Sequence, residues 1–148
     1  MNLRPYCLEF IKKIKEYYEV FIFTSSTQPY AETIVDFLDP KKLYISGILS
    51  REHCFRTSSG KFIKNLDAIK NRSLKNIVLV DDSVYSYALQ INNGVPILKW
   101  KNNKNDEELK YLFEYLLKMH SSSDVREFNR KHFKLEKIIS TAMEKLLN

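Results

Sequence analysis

The apolar positions of this chain change period from one segment to the next. Leu8, Ile11, Ile14 and Tyr18 recur at helical spacing, with Lys12, Lys13, Lys15 and Glu16 on the other face, and Pro5 stands where a first helical turn tolerates it. Val20-Phe21-Ile22-Phe23 follows, an unbroken β-branched and aromatic run that predicts a strand buried on both faces. It stops at Thr24-Ser25-Ser26-Thr27, residues of the kind that cap helices. The next helix is predicted from Pro29 to Leu38, with Tyr30, Ile34 and Phe37 turned inward and Asp39-Pro40 ending it.

Leu43-Tyr44-Ile45 and Gly47-Ile48-Leu49 predict a short strand or strand pair, and Phe55 with Phe62-Ile63 a hairpin whose tip runs from Arg56 to Lys61. A short helical stretch is expected from Asn65 to Asn71. The second strong strand, Ile77-Val78-Leu79-Val80, ends in Asp81-Asp82-Ser83, and Val95-Pro96-Ile97 predicts one more strand after an Asn-Asn-Gly turn. Asp106 opens an amphipathic helix through Leu109, Leu112, Phe113 and Leu116. After Ser121-Ser122-Ser123-Asp124 a last helix is predicted from Val125 to Leu147, its apolar face made by Phe128, Leu135, Ile138, Ile139, Ala142, Met143 and Leu146. Strands alternating with helices imply an α/β sheet with right-handed crossovers, and in such sheets ligands gather at the carboxyl ends of strands. Thr24-Ser25 and Asp81-Asp82 both stand there.

Composition adds bounds. A chain of 148 residues, 44% apolar and 13% aromatic, is about one globular domain, and three glycines with four prolines suit regular elements and short loops. Cys7 and Cys54 share no metal-ligand or disulfide spacing, which points weakly to a reducing, intracellular compartment. The N-terminal residues form no signal-peptide pattern, and no stretch approaches a membrane span. The net charge of +6 suits acidic partners, phosphate esters among them. The lysines lie in every segment rather than in one cluster, which disfavours a nucleic-acid-binding role.

Singly, each polar cluster has an ordinary reading: Thr24 as a helix cap, Asp81-Asp82 as a solvated turn or a Mg²⁺ ligand pair, Lys64 as one more exposed lysine. In order and spacing they are more telling. Arg4-Pro5, Phe21-Ile22-Phe23-Thr24-Ser25-Ser26 with Tyr30-Ala31, Leu49-Ser50-Arg51-Glu52-His53-Cys54, Phe62-Ile63-Lys64-Asn65-Leu66, Val80-Asp81-Asp82-Ser83 and Asn93-Gly94-Val95-Pro96 with Trp100 resemble the NLI-interacting-factor-like phosphatases. These are the small phosphatases of the RNA polymerase II C-terminal domain and their relatives, within the haloacid dehalogenase superfamily.

The resemblance implies a three-layer, Rossmann-like α/β fold with a central parallel sheet and a small β-hairpin insertion. It implies a phosphatase-like domain over 1–128 with a helical extension over 129–148 packed on it. Thr24 would bind the phosphoryl group, joined by Ser25 and the backbone N–H groups behind it. Lys64 would neutralise phosphate charge and hold an aspartyl nucleophile. Asp81 would be a Mg²⁺ ligand, with Asp82 as a further metal partner, and Arg51 would lie near the substrate phosphate. The implied activity is Mg²⁺-dependent hydrolysis of phosphoserine or phosphothreonine in a protein or peptide, the RNA polymerase II C-terminal domain among the candidates, in the nucleus or cytoplasm.

One motif of the pattern does not occur. The family carries an apolar strand ending in Asp-x-Asp-x-Thr, whose first aspartate forms an aspartyl-phosphate and whose second serves as acid and base. The 148 residues contain no Asp-x-Asp, and the first aspartate is Asp36. Three readings stand: a gene or fragment that starts at an internal Met, a strand supplied by another chain, or a pseudophosphatase that binds peptides or protein partners without cleaving. The resemblance places the absent strand at the centre of the sheet. An ordered structure is therefore expected to fill that slot with another segment.

Overall fold

The computed structural model describes residues 2–147. The chain divides into two compact units, Met1–Cys54 with Leu98–Ser121, and Phe55–Ile97 with Ser122–Asn148.

In the first unit, α1 (Cys7–Ile14) lies against α3 (Glu108–His120), with Ile11, Ile14, Leu112, Leu116 and Met119 buried. The Tyr18 hydroxyl donates to the Leu116 carbonyl at 2.6 Å, and the Tyr17 ring meets Phe113 edge-on. Arg4 grips Asp106 with two parallel bonds, Nε to Oδ1 at 2.7 Å and Nη2 to Oδ2 at 2.8 Å, and adds a third to the Leu98 carbonyl. Such planar two-point pairing ties the entry of α1 to the entry of α3.

Strand β1 (Val20–Phe23) runs parallel to β2 (Ile45–Leu49), so the predicted pair around Gly47 is one strand. The expectation that β1 is buried on both faces is corrected: Phe21 is 45% exposed and the other three residues are half-buried. The Phe21 ring crosses Gly47 so closely that a methyl there would stand 2.8 Å from it. Helix α2 (Gln28–Leu38) connects them. Its inward face is corrected by one residue: Ala31 and Val35 are buried, while Tyr30 and Phe37 are 59% and 52% exposed. Both stripes have helical spacing, and the smaller side chains let the helix axis approach the sheet.

Asp39 ends α2 and is buried. Its carboxylate accepts the N–H groups of Leu43, Tyr44 and Ile45 at 2.9, 2.7 and 2.9 Å and so shapes the turn into β2. Burial alone would raise its pKa, but those three donors and the nearby Lys15 charge outweigh it and hold the group below its ordinary value. A depressed carboxylate stabilises the fold above its unfolded pKa and loses that contribution as pH falls through the folded value. Asp39→Ala is therefore expected to lower the melting temperature by several degrees at neutral pH. The gap from the unmodified chain should narrow as thermal scans move into acid, and a constant gap would refute the assignment.

In the second unit, β3 (Cys54–Arg56) enters from the first and pairs with β4 (Phe62–Lys64), the predicted hairpin. Its tip closes through Gly60 at φ 83. The predicted strand at 77–80 is shifted: β5 is Leu79–Asp81, parallel to β6 (Gly94–Pro96). Between them Val84–Asn93 winds in 3-10 turns kinked at Tyr87 and Gln90. The predicted helix near Asn65 shrinks to one 3-10 turn, Leu66–Ala68.

Two buried asparagines lace this unit. The Asn93 amide donates to the Leu74 and Ile77 carbonyls at 2.6 and 2.7 Å, and the Asn129 amide donates to the carbonyls of Asn92 and Gly94. The single terminal helix expected from Val125 is in fact two, α4 (Val125–His132) and α5 (Leu135–Leu147). Phe133 turns extended after its N–H caps the Asn129 carbonyl, and Leu135 is then buried. Ile138 is exposed, against expectation, and the side chains of Ala142, Met143 and Leu146 lie outside the described residues. The described residues thus form an α/β architecture with parallel strand pairs.

Candidate active site

Two groups of polar residues stand at strand ends, one in each unit. In the first, the β1–β2 ladder is prolonged by the Thr24 N–H, which donates to the Leu49 carbonyl at 2.8 Å. The chain then turns, and the Thr24 hydroxyl accepts the Ser26 N–H at 3.1 Å. That bond fixes the oxygen and leaves the hydroxyl proton without an acceptor among the described residues. Opposite, Arg51 N–H donates to the Ser26 carbonyl at 2.9 Å and Arg51 Nε to the Ser25 carbonyl at 2.8 Å. The Cys54 thiol points at the Thr24 and Ser50 carbonyls. Ser50 is buried, and its N–H is taken by His53 Nδ1 at 3.0 Å. Thr24, Ser25 and Arg51 are therefore brought together, as the sequence suggested, by backbone bonds between the loops after β1 and β2.

The second group gathers at the ends of β4 and β5. The Lys64 ammonium meets Asp81 Oδ2 at 2.5 Å, with side chains only 15% and 9% exposed. The other oxygen, Oδ1, accepts the Ser83 N–H at 2.8 Å. Asp82 is exposed and joins no ion pair among the described residues. Gln90, which no sequence pattern singled out, clamps the turn after Lys64: its amide accepts the Leu66 N–H and donates to Asn65 Oδ1. Tyr87 is wholly buried, with its hydroxyl unpartnered among the described residues. Burial, and then the Asp81 charge, push its pKa up to about 12, so it stays a neutral phenol.

A Mg²⁺ ion demands near-octahedral oxygen coordination. Among the described residues no three His, Cys, Asp or Glu side chains converge, and both Asp81 oxygens are engaged. These residues by themselves do not fit the ion.

The sequence pattern of the NLI interacting factor-like phosphatases matches residues 1–126. The chain belongs to that family. It is 37% identical over 139 residues to CTD small phosphatase-like protein 2 of Dictyostelium discoideum, covering 94% of this chain and 24% of that protein. It is 36% identical to CTD small phosphatase-like protein 3 of Caenorhabditis elegans, over 91% of this chain and 47% of that one. The chain thus spans a quarter to a half of the length of these relatives. The structure of Fcp1, an essential RNA polymerase II CTD phosphatase, superposes with a TM-score of 0.70 at 18% identity, over 81% of this chain and 46% of that chain. The chain accordingly shares the fold of the matched part of that phosphatase.

Proposed function

We propose that the chain is the larger part of a phosphoprotein phosphatase domain acting on phosphoserine or phosphothreonine, with a three-layer layout over 1–128 and a helical extension over 129–148. The observation that carries this reading is Thr24. Its hydroxyl oxygen is fixed by the Ser26 N–H, its proton is unspent, and Arg51 is anchored beside it. That is the equipment for receiving a phosphoryl oxygen at a strand end.

In this reading the nucleophile is the first aspartate of an Asp-x-Asp-x-Thr strand, which these residues do not contain. Its carboxylate oxygen attacks phosphorus, the ester P–O bond breaks, and the second aspartate gives the leaving oxygen its proton. Water then attacks phosphorus, the same aspartate takes its proton, and the aspartate nucleophile is released with inorganic phosphate. Lys64, already pre-paired with Asp81, would hold the incoming carboxylate and neutralise phosphate charge. The absence of Asp-x-Asp supports a second reading, a module that binds a phosphorylated protein or peptide without cleaving it. The RNA polymerase II C-terminal domain is a candidate partner in either reading, with a nuclear or cytoplasmic site of action.

The test is turnover. Residues 1–148 are expected to release no phosphate from phosphoserine peptides, and a polypeptide carrying an Asp-x-Asp-x-Thr strand ahead of them is expected to do so. Turnover by residues 1–148 that is lost in Lys64→Ala would overturn this placing of the nucleophile. If the longer polypeptide binds phosphopeptide but never turns it over, the binding module is the answer.

Metal binding follows the same logic. Calorimetry should show weak Mg²⁺ binding to residues 1–148 and tighter binding once the extra carboxylates are supplied, reduced by Asp81→Asn and less so by Asp82→Asn. Tight binding to residues 1–148, abolished by Asp81→Ala, would contradict the engaged state of that carboxylate.

A further inference from the structure

The lysines are dispersed in sequence, but the fold gathers four of them. Lys12 and Lys15 leave the same side of α1, and their ammonium groups stand 6.0 and 5.9 Å from the centre of one ring, Tyr44. Lys41 and Lys42 lie on the turn that leads to Tyr44, and all four side chains are exposed. None of the four has an ion pair among the described residues, unlike Lys13, which is paired with Glu9. Asp39, at the start of the turn, is buried and accepts three backbone N–H groups, so it forms no ion pair with these lysines.

The turn is held by hydrogen bonds to Asp39. Asp39 braces its far side, and Lys42 adopts the left-handed conformation, φ 53. That reversal leaves Leu43 52% exposed between Lys42 and Tyr44. An exposed aliphatic side chain thus stands on a turn whose lysines join no ion pair among the described residues.

We propose that this face, α1 at Lys12 and Lys15 with the turn Lys41–Tyr44, docks on an anionic lipid bilayer. Lysines at headgroup level with an apolar residue dipping below them is the arrangement of peripheral interfacial binding, and it needs no spanning helix. None of the described helices is long and apolar enough to be one. Nucleic acid fits the face less well. Leu43 would gain nothing against a phosphodiester backbone, the face of Tyr44 that a base would stack on has two ammonium groups over it, and the patch has no arginine fork for phosphates. Orienting the domain on a membrane does not depend on whether the strand-end groups turn over substrate.

Sedimentation with vesicles tests it. The chain is expected to pellet with phosphatidylcholine vesicles containing about a third phosphatidylserine at about 0.1 M salt, and to stay in solution with pure phosphatidylcholine or at about 0.5 M salt. Each lysine near the surface is worth roughly fivefold in partition, so Lys12→Ala/Lys15→Ala should weaken binding about 25-fold. Lys41→Ala/Lys42→Ala should do the same, and as a change in an exposed turn it keeps the test decisive if the first variant misfolds. Leu43→Asp should weaken what charge loss does not. No binding to the anionic vesicles, binding unchanged in both lysine pairs, or tighter binding to a short DNA duplex than to the vesicles would each overturn the proposal.

Discussion

Gly94→Ala is expected to destabilise the protein by about 3 kcal/mol or more, the top of the range for overpacking a core. A methyl at that position would stand 2.0 Å from Tyr87 Cδ2 and 2.1 Å from Cε2, and Tyr87 is completely buried, so its ring has nowhere to go. The backbone is not the reason, because Gly94 has φ −85, which alanine adopts freely. The melting temperature should fall by roughly 6–12 °C for a chain of this size. The decisive measurement is the double variant. If the clash with Tyr87 is the cause, Tyr87→Leu and Gly94→Ala together should cost clearly less than the sum of the two. Additive costs would point to some other origin.

The second large effect concerns Lys64. In a polypeptide that carries the Asp-x-Asp-x-Thr strand, Lys64→Ala is expected to lower turnover about 10²–10³-fold, the usual cost of removing one preorganised charge-stabilising group. Thr24→Ala should cost less and Thr24→Ser almost nothing, since serine keeps the hydroxyl that Ser26 N–H orients. Lys64→Ala also leaves the Asp81 carboxylate nearly buried without its ammonium. A Lys64→Arg variant separates the two losses because it keeps a cation beside Asp81: stability that recovers while turnover does not assigns the effect to the positioned ammonium in the reaction. Turnover that survives Lys64→Ala would remove it from the site.

What the sequence disclosed depended on the signal each residue carries. Val20–Phe23 is an unbroken apolar run closed by hydroxyl residues, so both the strand and the polar cluster after it were legible before any coordinates. The inward face of α2 was not, because the chain offers two apolar stripes one residue apart and only packing chooses between Tyr30-Ile34-Phe37 and Ala31-Val35. The division of the last helix at Phe133 lacks any glycine or proline to announce it. It follows from the burial of Leu135, a tertiary demand. Thr24, Arg51, Lys64 and Asp81 were singled out through their motifs, and the structure sets Arg51 beside the Thr24 loop and pairs Lys64 with Asp81. Gln90 was not singled out, since a side-chain amide that clamps a turn leaves no periodic trace. The grouping of Lys12 and Lys15 over Tyr44 joins positions some thirty residues apart and could be seen only in three dimensions.

The Asn93-Gly94 junction gives the chain a chemical clock. Asparagine before glycine is the dipeptide most prone to lose its side-chain amide, because the following nitrogen can close a five-membered imide ring on it; asparagine is among the residues heat destroys first. In the folded protein that ring cannot close easily. The Asn93 side chain is held by the Leu74 and Ile77 carbonyls, and both Asn93 and Gly94 are buried. Damage at this junction therefore accrues only while the second unit is open. Isoaspartate at position 93 in an aged sample would record how long each molecule has spent unfolded, and a restored chain would carry a negative charge where the core expects a donor.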